Sequence, residues 1–159
     1  MKRKDFYALI HPLAEKLYRV AYALIPDDLQ AEQLVIDGLN AYLIKERKHL
    51  LRKELSHDKR EVQVLRKIIF KGLLHYLSDI GLRRSVQLAE QMKQVRPSEF
   101  AAFYQLDGKV RLILSLRFEC QLSIEEVEEI SKMPRFEVIE KMHNGRFLLK
   151  NELNKGVSL

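Results

Sequence analysis

Apolar residues recur along this chain at helical spacing, and no stretch shows the strict alternation of a half-buried strand. Leu9, Leu13, Leu17, Val20 and Leu24, with Phe6, Ile10 and Ala21 beside them, predict a helix from Asp5 to about Ile25. Pro12 marks an early turn of it. Ile25-Pro26-Asp27-Asp28 reads as a stop, a turn and a restart, with Asp27 or Asp28 as the N-cap of the next helix. That second helix runs from Gln30 to Ile44, with Ala31, Leu34, Val35, Leu39 and Leu43 on its apolar side. Gly38 weakens a helix, so close packing against a neighbour is the expected reason for it. Lys45 to Arg60 breaks the apolar rhythm and either continues the helix or forms an exposed loop; a helical extension followed by a loop near Ser56-His57-Asp58 is the favoured form. Val64, Leu65, Ile68, Ile69, Leu73, Tyr76 and Leu77 define a third helix from Glu61 to Ile80, whose other face carries Arg66, Lys67 and Lys71. Gly81 is its expected C-cap.

Arg83 to Pro97 is poorer in apolar residues and reads as a linker, partly helical, between two small helical domains. Beyond it a short helix is expected from Phe100 to Leu106, a turn at Asp107-Gly108, and a central helix, apolar nearly all round, from Val110 to Glu119. Leu122 to Lys150 reads as two helices around a tight corner. Ser123 and Glu126 have the spacing of a capping box, and Ile124, Val127 and Ile130 mark the buried side of the first helix. Pro134 suits the first turn of the second helix, where Val138, Met142, Gly145 and Leu149 form one stripe. The expected fold is therefore all-α. It has a helical domain at 1–82, a linker at 83–97 and a helix-turn-helix domain at 98–159.

Composition changes this picture little, with 47% apolar residues, as in folded globular domains. No apolar run approaches the ~18 residues of a membrane span, and the N-terminus lacks the apolar core and cleavage site of a signal peptide. The one cysteine, Cys120, sits in an apolar helical pattern and excludes a disulfide within the chain. A cytoplasmic protein with no membrane partner is expected. Charge is more informative. The chain carries a net +6, unevenly placed. Lys45 to Lys71 holds ten Lys or Arg against four acids, whereas Leu122 to Glu140 holds two against six. The middle of the chain is basic and the helix-turn-helix is acidic.

Catalytic patterns are absent from the sequence. It contains no glycine-rich phosphate loop, no G-x-S-x-G elbow and no H-E-x-x-H spacing. His11, His49, His57, His75 and His143 are scattered, and Glu125-Glu126 and Glu128-Glu129 read as a solvated helix face. Neither an enzyme, nor a metal site, nor a cofactor is expected.

Two stretches resemble one family. LYRVAYALIPDDLQAEQLVIDGLNAYL, Leu17 to Leu43, resembles region 2 of the bacterial sigma-70 family, in its small extracytoplasmic-function (ECF) type. There a helix ending in L-A-Y-x-L is followed by a G-D or P-D turn and D-A-E-D-L-V-Q-E-x-F; Ala31-Glu32-Gln33-Leu34-Val35-Ile36-Asp37 occupies the last pattern. VRLILSLRFECQLSIEEVEEISKMPRFEVIEKMHNGR, Val110 to Arg146, resembles region 4 of the same family. Leu114, Leu116, Arg117, Leu122, Ser123, Glu125, Glu126, Val127, Val138, Met142, His143 and Arg146 fit its pattern without a gap. The resemblance implies a transcription initiation factor that binds core RNA polymerase and promoter DNA, with an anti-sigma factor as a further partner. By position, Leu34, Val35, Asp37 and Asn40 would form the polymerase-binding surface. Arg66, Lys67 and Lys71 would face promoter phosphates, as their charge alone also suggests. Arg135, Lys141, His143, Asn144 and Arg146 would lie on or beside the DNA-reading helix.

The chain also departs from the pattern. Glu128 stands where the family has a small residue, and Ser131-Lys132 where it has Leu-Gly. The outward face of the last helix carries Phe136, Ile139, Glu140, His143, Asn144 and Phe147, where a groove-reading helix presents Arg, Lys, Asn, Gln, Ser or Thr. The chain has no tryptophan, and Phe70 and Tyr76 are the only aromatic residues of the third helix. An alternative expectation follows. The chain is a sigma-like interaction module that no longer reads promoter DNA and binds an anti-sigma factor, polymerase or a second copy through Phe136, Ile139 and Phe147.

Overall fold

The computed structural model describes residues 1–92 and 101–157, and all regular structure among them is helical. Helix α1 spans Arg3–Ile10 and passes through a 3₁₀ turn, His11–Leu13, into α2, Ala14–Leu24. Pro12 lies within that turn, where its missing N–H costs nothing. The Asp27 carboxylate then accepts from the Gln30 amide and caps α3, Asp28–Leu51, so the helix extends through the charged Lys45–Leu51 stretch as expected. Asp58 caps α4, Lys59–Gln87, in the same way through the Arg60 amide. Short helices α5 (Ala89–Met92) and α6 (Ala101–Tyr104) precede α7, Gly108–Leu114, which widens into a π turn at Ser115–Glu119. Helix α8, Ile124–Ser131, begins at the full Ser123–Glu126 capping box, and α9 spans Arg135–Val157.

One sequence expectation fails inside α4. Gly81 is not a C-cap; the helix continues past it to Gln87. A Cβ there would come within 2.5 Å of the Leu24 side chain and 2.9 Å of that of Leu34, so side chains of α2 and α3 pack directly on this glycine. Gly38 meets the expectation, since its Cβ would lie 3.2 Å from the Leu77 backbone. Residues 83–87 of the expected linker thus belong to α4, and 93–100 lie outside the described residues.

Helices α2, α3 and α4 pack together around Val20, Leu24, Leu34, Ile69, Leu73, Leu74 and Leu77. The C-terminal helices do not form a separate core. Leu112, Ile113, Leu116, Val127, Ile130 and Val138 belong to the same continuous apolar cluster, with α8 lying on α4 and α7 on both α2 and α9. Each such leucine or isoleucine contributes about 1.5–3 kcal/mol by leaving water.

The corner of the helix-turn-helix is closed without glycine. Lys132 adopts the left-handed conformation (φ 58°), which costs a side chain of this kind about 1–2 kcal/mol. The Ser131 hydroxyl donates to the Val127 carbonyl at 2.6 Å and accepts from the Met133 amide at 3.3 Å. Lys132 therefore holds a backbone conformation that favours glycine.

Candidate functional site

The basic stretch Lys45 to Lys71 ends on α4, on the face that carries Arg66, Lys67 and Lys71. Arg66 and Lys67 are adjacent and Lys71 follows Lys67 by one turn, but their charges are not all free. The Arg66 guanidinium turns back and donates to the Leu9 carbonyl at 2.9 Å, tying α4 to the last turn of α1. Lys71 lies against α8, its ammonium 3.3 Å from the Glu126 carboxylate and 3.7 Å from that of Glu129. Lys67 stands 3.7 Å from the same Glu126 oxygen. The acidic helix has docked on the basic one.

Glu126 holds this arrangement together. One carboxylate oxygen accepts from the Ser123 amide and completes the helix cap. The other, Oε2, is buried and meets Lys71 and Lys67 by charge proximity without an aligned hydrogen bond. Burial pushes its carboxyl up, but the Ser123 amide, Lys71 and Lys67 outweigh that and hold it below the ordinary value. One turn further along α4, His75 Nδ1 lies 3.0 Å from the Ile130 carbonyl oxygen. A carbonyl only accepts, so the ring carries a proton on Nδ1 and caps an orphan carbonyl at the end of α8.

A second tie joins the halves and was not legible as a functional residue. Arg111, in α7, donates through Nε to the Ala23 carbonyl at 2.7 Å and through Nη2 to that of Leu24 at 3.0 Å. Its Nη1 serves the Tyr104 and Leu106 carbonyls. One guanidinium thus closes the C-terminal end of α2 and braces α6 against α7. The only sequence signal is an arginine inside an otherwise apolar helix. At the surface, Arg19 of α2 reaches Glu119 in the π turn at 3.2 Å.

The expected polymerase surface divides. Leu34 is fully buried and serves the core, because the apolar side of α3 is wide enough to enclose it between α2 and α4. Asp37 pairs with Arg84 of α4 and accepts from Gln33. Burial raises the Asp37 carboxyl, and the bonds to Arg84 and Gln33 hold it below its usual range. Asn40 is exposed. Val35 is half-buried and lines an apolar cleft of about 230 Å³ between α1, α2 and α3, with Tyr7, His11, Leu17 and Leu39 around it and Leu73 and Leu77 at its floor. Among aromatic residues of α4, Phe70 is buried and Tyr76 meets Tyr42 edge-on, so both serve packing.

Helix α9 turns Val138 and Gly145 inward as its sequence stripe predicts. Of its expected DNA contacts, Arg135 is engaged by Glu125 at 2.8 Å, and Lys141 lies 4.0 Å from Glu137. Arg146 stacks over the Phe118 ring at 4.4 Å. His143 and Asn144 are exposed, and so are Phe136, Ile139 and Phe147.

Among the described residues no cluster of three or more metal-ligating side chains occurs. No helix among them is long and apolar enough to cross a membrane. Cys120 is buried, and burial pushes its thiol up to about 11, away from reactivity. No protein-family model matches this chain, and no curated protein is significantly similar to it.

Proposed function

We propose that this chain is a divergent sigma factor of the extracytoplasmic-function type, acting in the cytoplasm on core RNA polymerase and promoter DNA. The reading is supported above all by the order of its two resembling blocks and the helices that carry them. The Asp27-capped start of α3 bears the region 2-like pattern, and the Ser123-capped helix-turn-helix of α8 and α9 bears the region 4-like one. Val35, Asp37 and Asn40 on α3 are the polymerase-facing residues in this reading. Lys67 and Lys71 are its phosphate contacts. Lys71 already faces Glu126 and Glu129, so promoter phosphates compete with α8 for it, whereas Lys67, 64% exposed, stays open beside Glu126. In this reading the contact of α8 with Lys71 belongs to an unengaged form.

A pull-down with core RNA polymerase, followed by transcription from genomic fragments, tests this function. Binding with new transcripts is the expected result. The second reading, an interaction module that no longer reads promoters, is favoured by one observation. The outward face of α9 exposes Phe136, Ile139 and Phe147, while Arg135 and Lys141 are engaged by glutamates. It predicts polymerase or anti-sigma binding without transcription.

A further inference from the structure

We infer that the outward face of α3 pairs antiparallel with the same face of a second copy of this chain. Leu29, Ile36, Ile44 and Leu51 of this helix stand open to water, at 76%, 50%, 77% and 63% exposure. Gln33, Asn40 and Arg47, all exposed, lie between them. Together these positions recur four, three, four, four, three and four apart, about 3.7 residues a step. That is close to the period of a straight helix, so they form one strip about 33 Å long, opposite the buried Ala31, Gly38 and Tyr42. Aliphatic side chains of this size in such register mark a surface that another protein covers.

The strip has the same spacing from either end, and that selects the partner. With a two-fold axis at Asn40, Leu29 of one copy is level with Leu51 of the other, Ile36 with Ile44, and Gln33 with Arg47. Ile36 leans to one side of the strip's midline and Ile44 to the other, as Leu29 and Leu51 also do. Level residues therefore interleave across the axis as in an antiparallel coiled coil. The two Asn40 amides meet at the centre, a polar pair that fixes the register. A self-complementary order of apolar and polar positions is what an isologous contact requires. Charge agrees with the direction. Glu32 stands on the flank towards which Arg47 leans, and the two-fold sets it beside Arg47 of the other copy, one residue from level. Glu32, Arg47 and Lys48 make no ion pair among the described residues. A parallel pair would instead set Glu32 against Glu32 and Arg47 against Arg47. A nucleic-acid occupant is disfavoured, since four aliphatic side chains and Glu32 would face its phosphates. Asn40 is polymerase-facing in the reading above, so the pair and a polymerase complex would exclude each other, but the pairing does not rest on that reading. One helix face covers less than the roughly 800 Å² per partner of a standard interface, so the pairing is weak, in the range of ~10 μM.

Sedimentation velocity of the full chain from about 2 to about 200 μM tests the pairing. The expected result is a rise from monomer to dimer across that range. Ile44→Asp should weaken association at least ~30-fold, because the two-fold counts the substitution twice. It should keep the far-UV spectrum, since the side chain is exposed. Arg47→Glu should weaken association several-fold, and adding Glu32→Arg should restore it, since the complementarity is then merely inverted. Cysteine crosslinking reads the register. Under mild oxidation Asn40→Cys should give a disulfide-linked dimer, because the two copies of residue 40 face each other at the axis, whereas Leu29→Cys should not. The native Cys120 is buried and does not compete. A monomer at every concentration overturns the proposal, whether or not the chain binds core RNA polymerase. So does a dimer indifferent to Ile44→Asp. A dimer in which Leu29→Cys crosslinks as readily as Asn40→Cys, or in which Glu32→Arg fails to restore Arg47→Glu, overturns the antiparallel register.

Discussion

The α4 face and the α9 face make an instructive pair, because the sequence offers both to DNA and the structure treats them in opposite ways. The α4 face has suitable chemistry, part of which is already engaged within the chain. Lys67 and Lys71 carry the charge a phosphate backbone needs, and α8 sets Glu126 and Glu129 against Lys71 while Lys67 stays largely exposed beside Glu126. The α9 face has access without the chemistry, showing Phe136, Ile139 and Phe147 to solvent. Charge along a sequence therefore locates a surface that must be neutralised, but it does not say by what. Here the neutralising group lies in the same chain, some sixty residues away.

The largest way to break this arrangement is through Arg111, whose guanidinium ties α7 to the end of α2. Arg111→Ala orphans several carbonyls at once and should cost about 3 kcal/mol, lowering the thermal midpoint by roughly 6–12 °C. Arg111→Lys should recover only part of the loss, because an ammonium cannot span carbonyls on both sides. A midpoint within about 2 °C of the parent would show that the halves are held together elsewhere.

Glu126→Lys sharpens the contrast directly. It sets three cations together and removes one arm of the cap, so a loss of about 2 kcal/mol in denaturant unfolding is expected. It should also release α4. Under the sigma reading, DNA affinity measured by fluorescence anisotropy should rise in this variant and fall steeply with salt. The same assay on Ile139→Asp should show no such gain.

Acid acts on this contact and on the Asp37–Arg84 pair between α3 and α4. The Glu126 and Asp37 carboxyls are held below their ordinary values of 4.5 and 3.8. A depressed folded-state value stabilises the fold above the unfolded value, and that stability is lost as pH falls through the folded one. Urea midpoints should hold down to about pH 5 and decline below about pH 4. Glu126→Gln should flatten part of that decline.

The smallest effect is at the corner. Lys132→Gly relieves a left-handed side-chain residue and should stabilise the fold by about 1 kcal/mol. A destabilised variant would mean that the Lys132 side chain contributes more than its backbone costs.

What was legible in the sequence was local. The Asp27 cap, the Ser123–Glu126 box and the inward stripe of α9 depend on residues within a turn or two of each other, and each stands where the pattern puts it. Gly81 misled because a glycine after an apolar run resembles a helix stop, whereas its reason is the approach of Leu24 and Leu34 from other helices. Leu34 misled in the same sense: spacing gave its side of α3 but not the depth of what covers it. The docking of α8 on α4 lay beyond local pattern, since it rests on two charge blocks whose separation along the chain says nothing of their distance in space. Arg111 was hidden for a similar reason, its partners being backbone carbonyls that no sequence pattern marks.

The central claim is that α8 docks on the basic face of α4 within one molecule and engages Lys71. Zero-length carbodiimide crosslinking of the dilute native chain, read by mass spectrometry of the monomer, tests it most directly. Lys71 should form an amide with Glu129 or Glu126, at the separations of 3.7 and 3.3 Å, alongside the internal control Lys109–Glu137 at 3.9 Å. A control crosslink without any Lys71 crosslink to α8 would contradict the closed arrangement.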